Sequence, residues 1–140
     1  MRTHALRLSP GQDLRLALEE ATLSLGLAAG CVLTCVGSLV RARLRLAGSE
    51  QVLELEGPLE IVALVGTLSP DGPHLHAALA DGEGRVLGGH VLAGCLVHTT
   101  AELVLGELEG LAFARAQDPA TGWRELVVRS SRPLGPNPRP

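Results

Sequence analysis

Residues 73–90 read Pro73-His74-Leu75-His76-Ala77-Ala78-Leu79-Ala80-Asp81-Gly82-Glu83-Gly84-Arg85-Val86-Leu87-Gly88-Gly89-His90. Two short apolar runs separated by Asp-Gly-Glu-Gly have the form of an antiparallel β-hairpin. In a strand, residues i and i+2 share a face, so His74 and His76 point the same way. The loop length then decides where His90 falls. A three-residue loop, Gly82-Glu83-Gly84, pairs Asp81 with Arg85 and so His76 with His90. A two-residue loop pairs Asp81 with Gly84 and sets His90 opposite Leu75, on the other face. Three-residue hairpin loops combine a type I turn with a residue at positive φ, a position glycine fills at no steric cost, and residue 84 is a glycine. The three-residue form is therefore expected, with three imidazoles on one face.

Imidazole nitrogens bind Zn²⁺ and its neighbours at about 2.0–2.1 Å, and three histidines with one open position make a known kind of metal site. The same residues also read as half-exposed strand histidines that hold nothing, and the spacing leaves both readings open. Gly88 and Gly89 fall opposite Ala77 and Ala78 in such a hairpin. Small side chains there allow either close backbone approach or a cleft beside the histidines.

The punctuation of the hairpin extends in both directions. From Cys31 onward, short Val- and Leu-rich runs are broken by Gly, Pro and Asp every eight to twelve residues or so. Strands are expected near 31–37, 40–46, 51–56, 59–68, 73–80, 85–92, 99–107, 111–116 and 123–128. Upstream, residues 2–8 alternate weakly and meet Ser9-Pro10-Gly11-Gln12, which has the form of a capping box with Pro at the first helical position. A helix is expected from there, carrying Leu14, Ala17, Leu18, Ala21 and Leu25 on one face and stopping at Gly26 or Gly30. The fold class that follows is α+β, a mostly antiparallel β-sheet with one main N-terminal helix packed on it.

At 140 residues the chain fits one domain, taken as residues 1–128, with a core that needs no staples. The tail 129–140 has four prolines among its last eight residues and is expected to be disordered. Apolar residues make up 46% before the 17 glycines are counted, an excess suited to a subunit interface. A net charge of −3 gives no general pull toward nucleic acid or an anionic membrane. All 12 basic residues are Arg, which reads as GC-rich coding. Cys31, Cys35 and Cys95 lack metal-finger spacing and read as reduced core residues. With no leader pattern and no apolar run near the roughly 20 residues of a membrane helix, a cytoplasmic protein is expected, with no membrane partner.

Other candidates are weaker. Glu60 lies among Leu59, Ile61, Val62, Ala63 and Leu64, where an ionised carboxylate needs a partner. It reads as a metal ligand, as an acceptor behind a ligating histidine, or as the structural partner of an arginine, the last being favoured, and Glu102 poses the same question. Arg41, Arg43 and Arg45 alternate along a strand. Such a stripe can hold phosphates, but a solvated face is the commoner outcome, and Phe113 and Trp123 are the only aromatics able to stack on bases. No phosphate-binding glycine loop and no nucleophile motif is present.

Taken together, several segments resemble the PPC domain, the plant and prokaryote conserved domain, in its stand-alone prokaryotic form without an AT-hook. They are Leu8 to Leu14, Val36 to Leu39, Glu60 to Thr67, His74 to Asp81, Gly84 to His90 and Thr100 to Glu102, with Arg115, Asp118 and Thr121-Gly122 beyond. The His-x-His to Gly-Gly-His pattern is the most specific part. The resemblance implies an α+β fold, a homotrimer, and a divalent metal, with zinc the expected ion, held by His74, His76 and His90. His98 matches no ligand position. Plant members carry Arg-Gly-Arg-centred hooks that enter the DNA minor groove. This chain has none, so a DNA role rests on family naming and not on these residues.

Two functions follow as expectations. The first is a trimeric metal-binding module for binding or assembly, with a possible tie to DNA or transcription. The alternative is a metal-dependent hydrolase or lyase in which a His₃-bound ion activates water. An open position beside Glu60 or Glu102 in a cleft favours the enzyme, and a closed, packed site favours the module.

Overall fold

The computed structural model describes residues 1–130. Strand β1 (Arg2–Leu8) is followed by helix α1 (Leu14–Ser24), β2 (Gly30–Arg45), β3 (Val52–Leu68), β4 (His74–Ala80), β5 (Val86–Val91), β6 (Leu96–Glu107), β7 (Leu111–Gln117) and β8 (Arg124–Ser130). The fold is a mostly antiparallel sheet with a single short helix.

The helix begins later than its sequence signature suggests. Ser9 to Gln12 form a turn instead, in which Ser9 N donates to Gln12 Oε1 and Gln12 N to Ser9 O. The turn is held from outside by Gly11 N donating to Val97 O and Val97 N to Gln12 O. The cap is Asp13, whose Oδ1 accepts from Arg15 N and Leu16 N at 3.0 and 3.1 Å, while its Oδ2 accepts from Gly94 N. Leu14, Leu18 and Thr22, four residues apart, turn inward, and Gly26 at φ 64° ends the helix.

Two pairs of expected strands are continuous. Residues 31–37 and 40–46 fuse into β2, and 51–56 and 59–68 into β3, because irregularities absorb the breaks inside the ladders. Register shifts fall between Leu39 and Arg41 in β2 and between Ile61 and Ala63 in β3. Glu60 and Val62 are both exposed, and the second shift turns Leu64 to the buried side, so Glu60, Val62 and Leu64 do not share one face.

The main sheet has the order β1-β6-β2-β3-β4-β5. In addition, β5 reaches back to β2 through Leu44↔Val91 and Arg45↔His90, so β2, β3, β4 and β5 close on themselves. The core lies between this sheet and α1 and is built from Leu14, Leu18, Leu39, Leu44, Leu68, Leu75, Leu79, Val91, Val97, Leu103 and Leu105. Cys35 and Cys95 are buried there as free thiols and Cys31 is only half-buried. Burial pushes the Cys35 thiol up to about 11 and raises that of Cys95, so both stay protonated.

Strands β7 and β8 form a separate two-stranded ribbon, anchored by Phe113 N donating to Ala28 O and Arg115 N to Asp71 Oδ2. Strand β8 continues to Ser130, two residues past the expected domain end at 128, and the rest of the expected tail, 131–140, lies outside the described residues. Among the described residues no helix is long and apolar enough to cross a membrane.

Candidate metal centre

The β4–β5 turn has the expected three-residue form. Asp81 N donates to Arg85 O at 3.0 Å and Gly84 N to Asp81 O at 2.9 Å, with Gly84 at φ 78°. The Asp81 carboxylate braces it, accepting from Glu83 N, Arg85 N and Arg85 Nε. That register sets His76 opposite His90, Ala77 opposite Gly89 and Ala78 opposite Gly88. The glycines serve close approach: a Cβ on Gly88 would lie 2.6 Å from Ala77 O, and one on Gly89 2.7 Å from Arg45 O. Strand β5 can touch both β4 and β2 only because these two positions have no side chain.

His74, His76 and His90 converge. Their ring centroids lie 5.0 to 5.6 Å apart, and one nitrogen from each falls within 4.8 Å of the others. His90 Nδ1 is buried and has no hydrogen-bond partner, an arrangement that a buried polar atom rarely tolerates. Burial, followed by the neighbouring His74 and the Arg45 guanidinium, pushes the His90 imidazole down to about 4. Burial also lowers His74, with Arg115 acting in the same direction. Neutral imidazoles with available lone pairs are the form a metal binds. The donor set therefore fits a divalent ion.

The trio lines a cleft of about 950 Å³. Arg15 from α1, Arg45 from β2, and Arg115, Trp123 and Arg124 from the β7–β8 ribbon form its walls, together with Glu50, Asp71 and Glu125. Apart from Arg45 in its alternating stripe, these residues had no local spacing to mark them, because four separate stretches of chain supply them.

Other sequence candidates lie elsewhere. Glu60 is exposed on β3 opposite Ser38 and Ala80, and Glu102 is exposed on β6 opposite Arg7 and Val36. Neither lines the histidine cleft, and neither forms the expected ion pair with an arginine among the described residues. Arg41 and Arg43 pair with Glu54, and Arg41 also lies 3.8 Å from Glu56, so two of the three stripe arginines are neutralised across the β2–β3 ladder. His98 is exposed on β6, and His4 Nε2 meets Glu107 Oε2 at 3.0 Å.

Known proteins share the sequence and fold of this chain. The chain is similar to the bifunctional protein GlmU of Synechococcus sp. strain JA-3-3Ab, 51% identical over 128 residues, which are 91% of this chain but 21% of that protein. It thus spans about a fifth of the length of that relative. A hypothetical protein from Salmonella enterica superposes with a TM-score of 0.91 at 43% identity, covering 94% of this chain and 95% of the other. A protein from Archaeoglobus fulgidus, described as metal-containing, superposes with a TM-score of 0.76 at 28% identity, covering 91% and 94%. The family model of the Plants and Prokaryotes Conserved (PCC) domain matches residues 1–109, which include all three histidines, and the chain belongs to that family.

Proposed function

We propose that this chain is a metal-binding module in which His74, His76 and His90 hold one divalent ion, zinc being the best match to three neutral imidazoles. The observation that carries the reading is the convergence of three ligand nitrogens within 4.8 Å, one histidine among them having a buried, unpartnered ring nitrogen. The metal-containing relative from Archaeoglobus fulgidus supports it. When bound, the ion would supply a Lewis-acidic centre facing the cleft. The chain's own part is to hold three imidazoles on one face, with the closed strand ring fixing His90 from both sides. Metal analysis of protein purified without chelator or histidine tag tests this, with about one ion per chain expected. Protein that stays metal-free after incubation with zinc would overturn it.

The module is further proposed to be a homotrimer. Val36, Val62, Val65 and Val86 are each more than half exposed on sheet strands, an apolar surface that a second copy would cover. Binding to DNA is not part of this proposal, since two stripe arginines are paired with glutamates and Arg45 faces a concave cleft.

The openness of the cleft favours a second reading, a hydrolase or lyase in which the ion activates water. The positions of Glu60 and Glu102 weigh against it, because neither is placed to move a proton at the histidines.

A further inference from the structure

We propose that the cleft binds a small organic oxyanion, a carboxylate or a phosphate ester, held between the metal and the guanidinium groups of Arg45 and Arg115. The inference rests on the metal reading above and names the class of ligand that the site would take.

Charge is the first argument. An imidazole ligand adds no charge of its own and no carboxylate belongs to the trio, so a divalent ion held there would keep its full charge. The cleft has four arginines in its walls against three acids, Glu50, Asp71 and Glu125. Asp71 is already engaged, accepting from Arg115 N at 2.7 Å and lying 3.9 Å from Arg124. With a metal bound, the excess of positive charge grows, and a partly enclosed site of that sign concentrates anions.

The second argument concerns donors. Arg45 differs from its strand neighbours Arg41 and Arg43: β3 places Val52 opposite it where they have Glu56 and Glu54. Among the described residues Arg45 has no carboxylate or carbonyl partner. Its guanidinium instead lies 5.8 Å from the centroid of the Trp123 ring, which holds it beside His90, its cross-strand neighbour. Among the described residues the Arg115 side chain is fixed by one bond, Nη2 to Thr67 Oγ1 at 2.9 Å, and its remaining N–H groups have no partner there. Half-buried, oriented guanidinium groups with free donors match the fork geometry of carboxylate and phosphate.

The third argument is modular. Arg115 and Trp123 belong to β7 and the turn before β8, beyond residues 1–109 that match the family model. The histidine floor is carried by β4 and β5, whereas the β7–β8 ribbon supplies much of the ligand wall. A cleft of about 950 Å³ has room for an organic group behind the anionic head.

The test uses the full chain loaded with Co²⁺, whose visible bands report a change of ligand, and titrates benzoate, phenyl phosphate and uncharged benzamide. Benzoate or phenyl phosphate should shift the bands while benzamide does not, and the tighter of the two identifies the anion class. Arg45→Met and Arg115→Met should each weaken binding by about tenfold or more with metal content intact, whereas Arg41→Met should leave it unchanged. Failure to load Co²⁺ overturns the metal reading together with this one. Full loading with no anion-induced shift, with benzamide binding equally well, or with affinity unaltered in both cleft variants overturns this inference alone.

Discussion

His76 stands directly opposite His90 across the β4–β5 ladder, their rings 5.6 Å apart and nearly perpendicular. A turn one residue shorter would have put Leu75 there and left no histidine trio on one face of the hairpin. If the trio is the ligand set, His74→Ala, His76→Ala and His90→Ala should each lose the ion, while His4→Ala and His98→Ala keep it. Elemental analysis of the five proteins decides the matter, and equal metal in all five would place the site elsewhere.

Gly89 should be as necessary to the site as a ligand. In Gly89→Ala the new Cβ would press on Arg45 O and Leu44 Cβ, both parts of a paired strand that cannot yield without moving β5. The expected cost is about 1–3 kcal/mol in a denaturant titration, with weaker metal binding through displaced His90. Gly82→Ala in the turn, with nothing within 4 Å, is the control and should change neither.

Acid should destabilise the metal-free protein through the same histidines. An unfolded histidine takes up its proton near the ordinary value of 6.5, whereas folded His90 does so only at about 4. Between these values the unfolded chain binds more protons, so the stability present above pH 6.5 is lost as pH falls toward 4. Thermal melts should show Tm declining from pH 7 to pH 5, more shallowly in His90→Gln. An identical slope in the variant would show that His90 does not contribute.

Light scattering should report a mass near three times 14.6 kDa. Val62, 59% exposed, has no role in the core of one chain, so Val62→Asp should leave the fold intact while lowering the mass if it lies in the interface. A wild-type monomer at micromolar concentration would remove the trimer from the proposal.

Fluorescence anisotropy with duplex DNA at physiological salt should detect only weak association, given a net charge of −3. Nanomolar affinity with a steep salt slope would reveal a basic surface not evident in one chain.

The hairpin and its three histidines were legible in sequence because both depend on short-range rules, strand alternation and turn length. Readings that failed depended on distant partners. Ser9-Pro10-Gly11-Gln12 is as good a turn as a helix start, and the choice is made by Val97, far along the chain, which pairs with Gly11 and Gln12 and leaves capping to Asp13. The apolar neighbours of Glu60 suggest that its carboxylate needs a partner, but Leu59 and Ile61 point inward while Glu60 points to solvent, and the need disappears. Arg15 and Arg115 reach the cleft from elements a hundred residues apart, a juxtaposition that no local pattern encodes.

The doubled attachment of β5 would change what a bound metal has to do. In many small metalloproteins the ion organises its own ligands, so removing it dissolves the fold. Here the backbone around His90 is laced to β2 on one side and β4 on the other by strand pairing. An ion held by the trio would then sit in a finished socket, able to come and go while the paired strands keep its ligands in place. Its exchange would be a reversible change of charge at the base of a standing cleft, and occupancy could follow supply without the protein having to be remade.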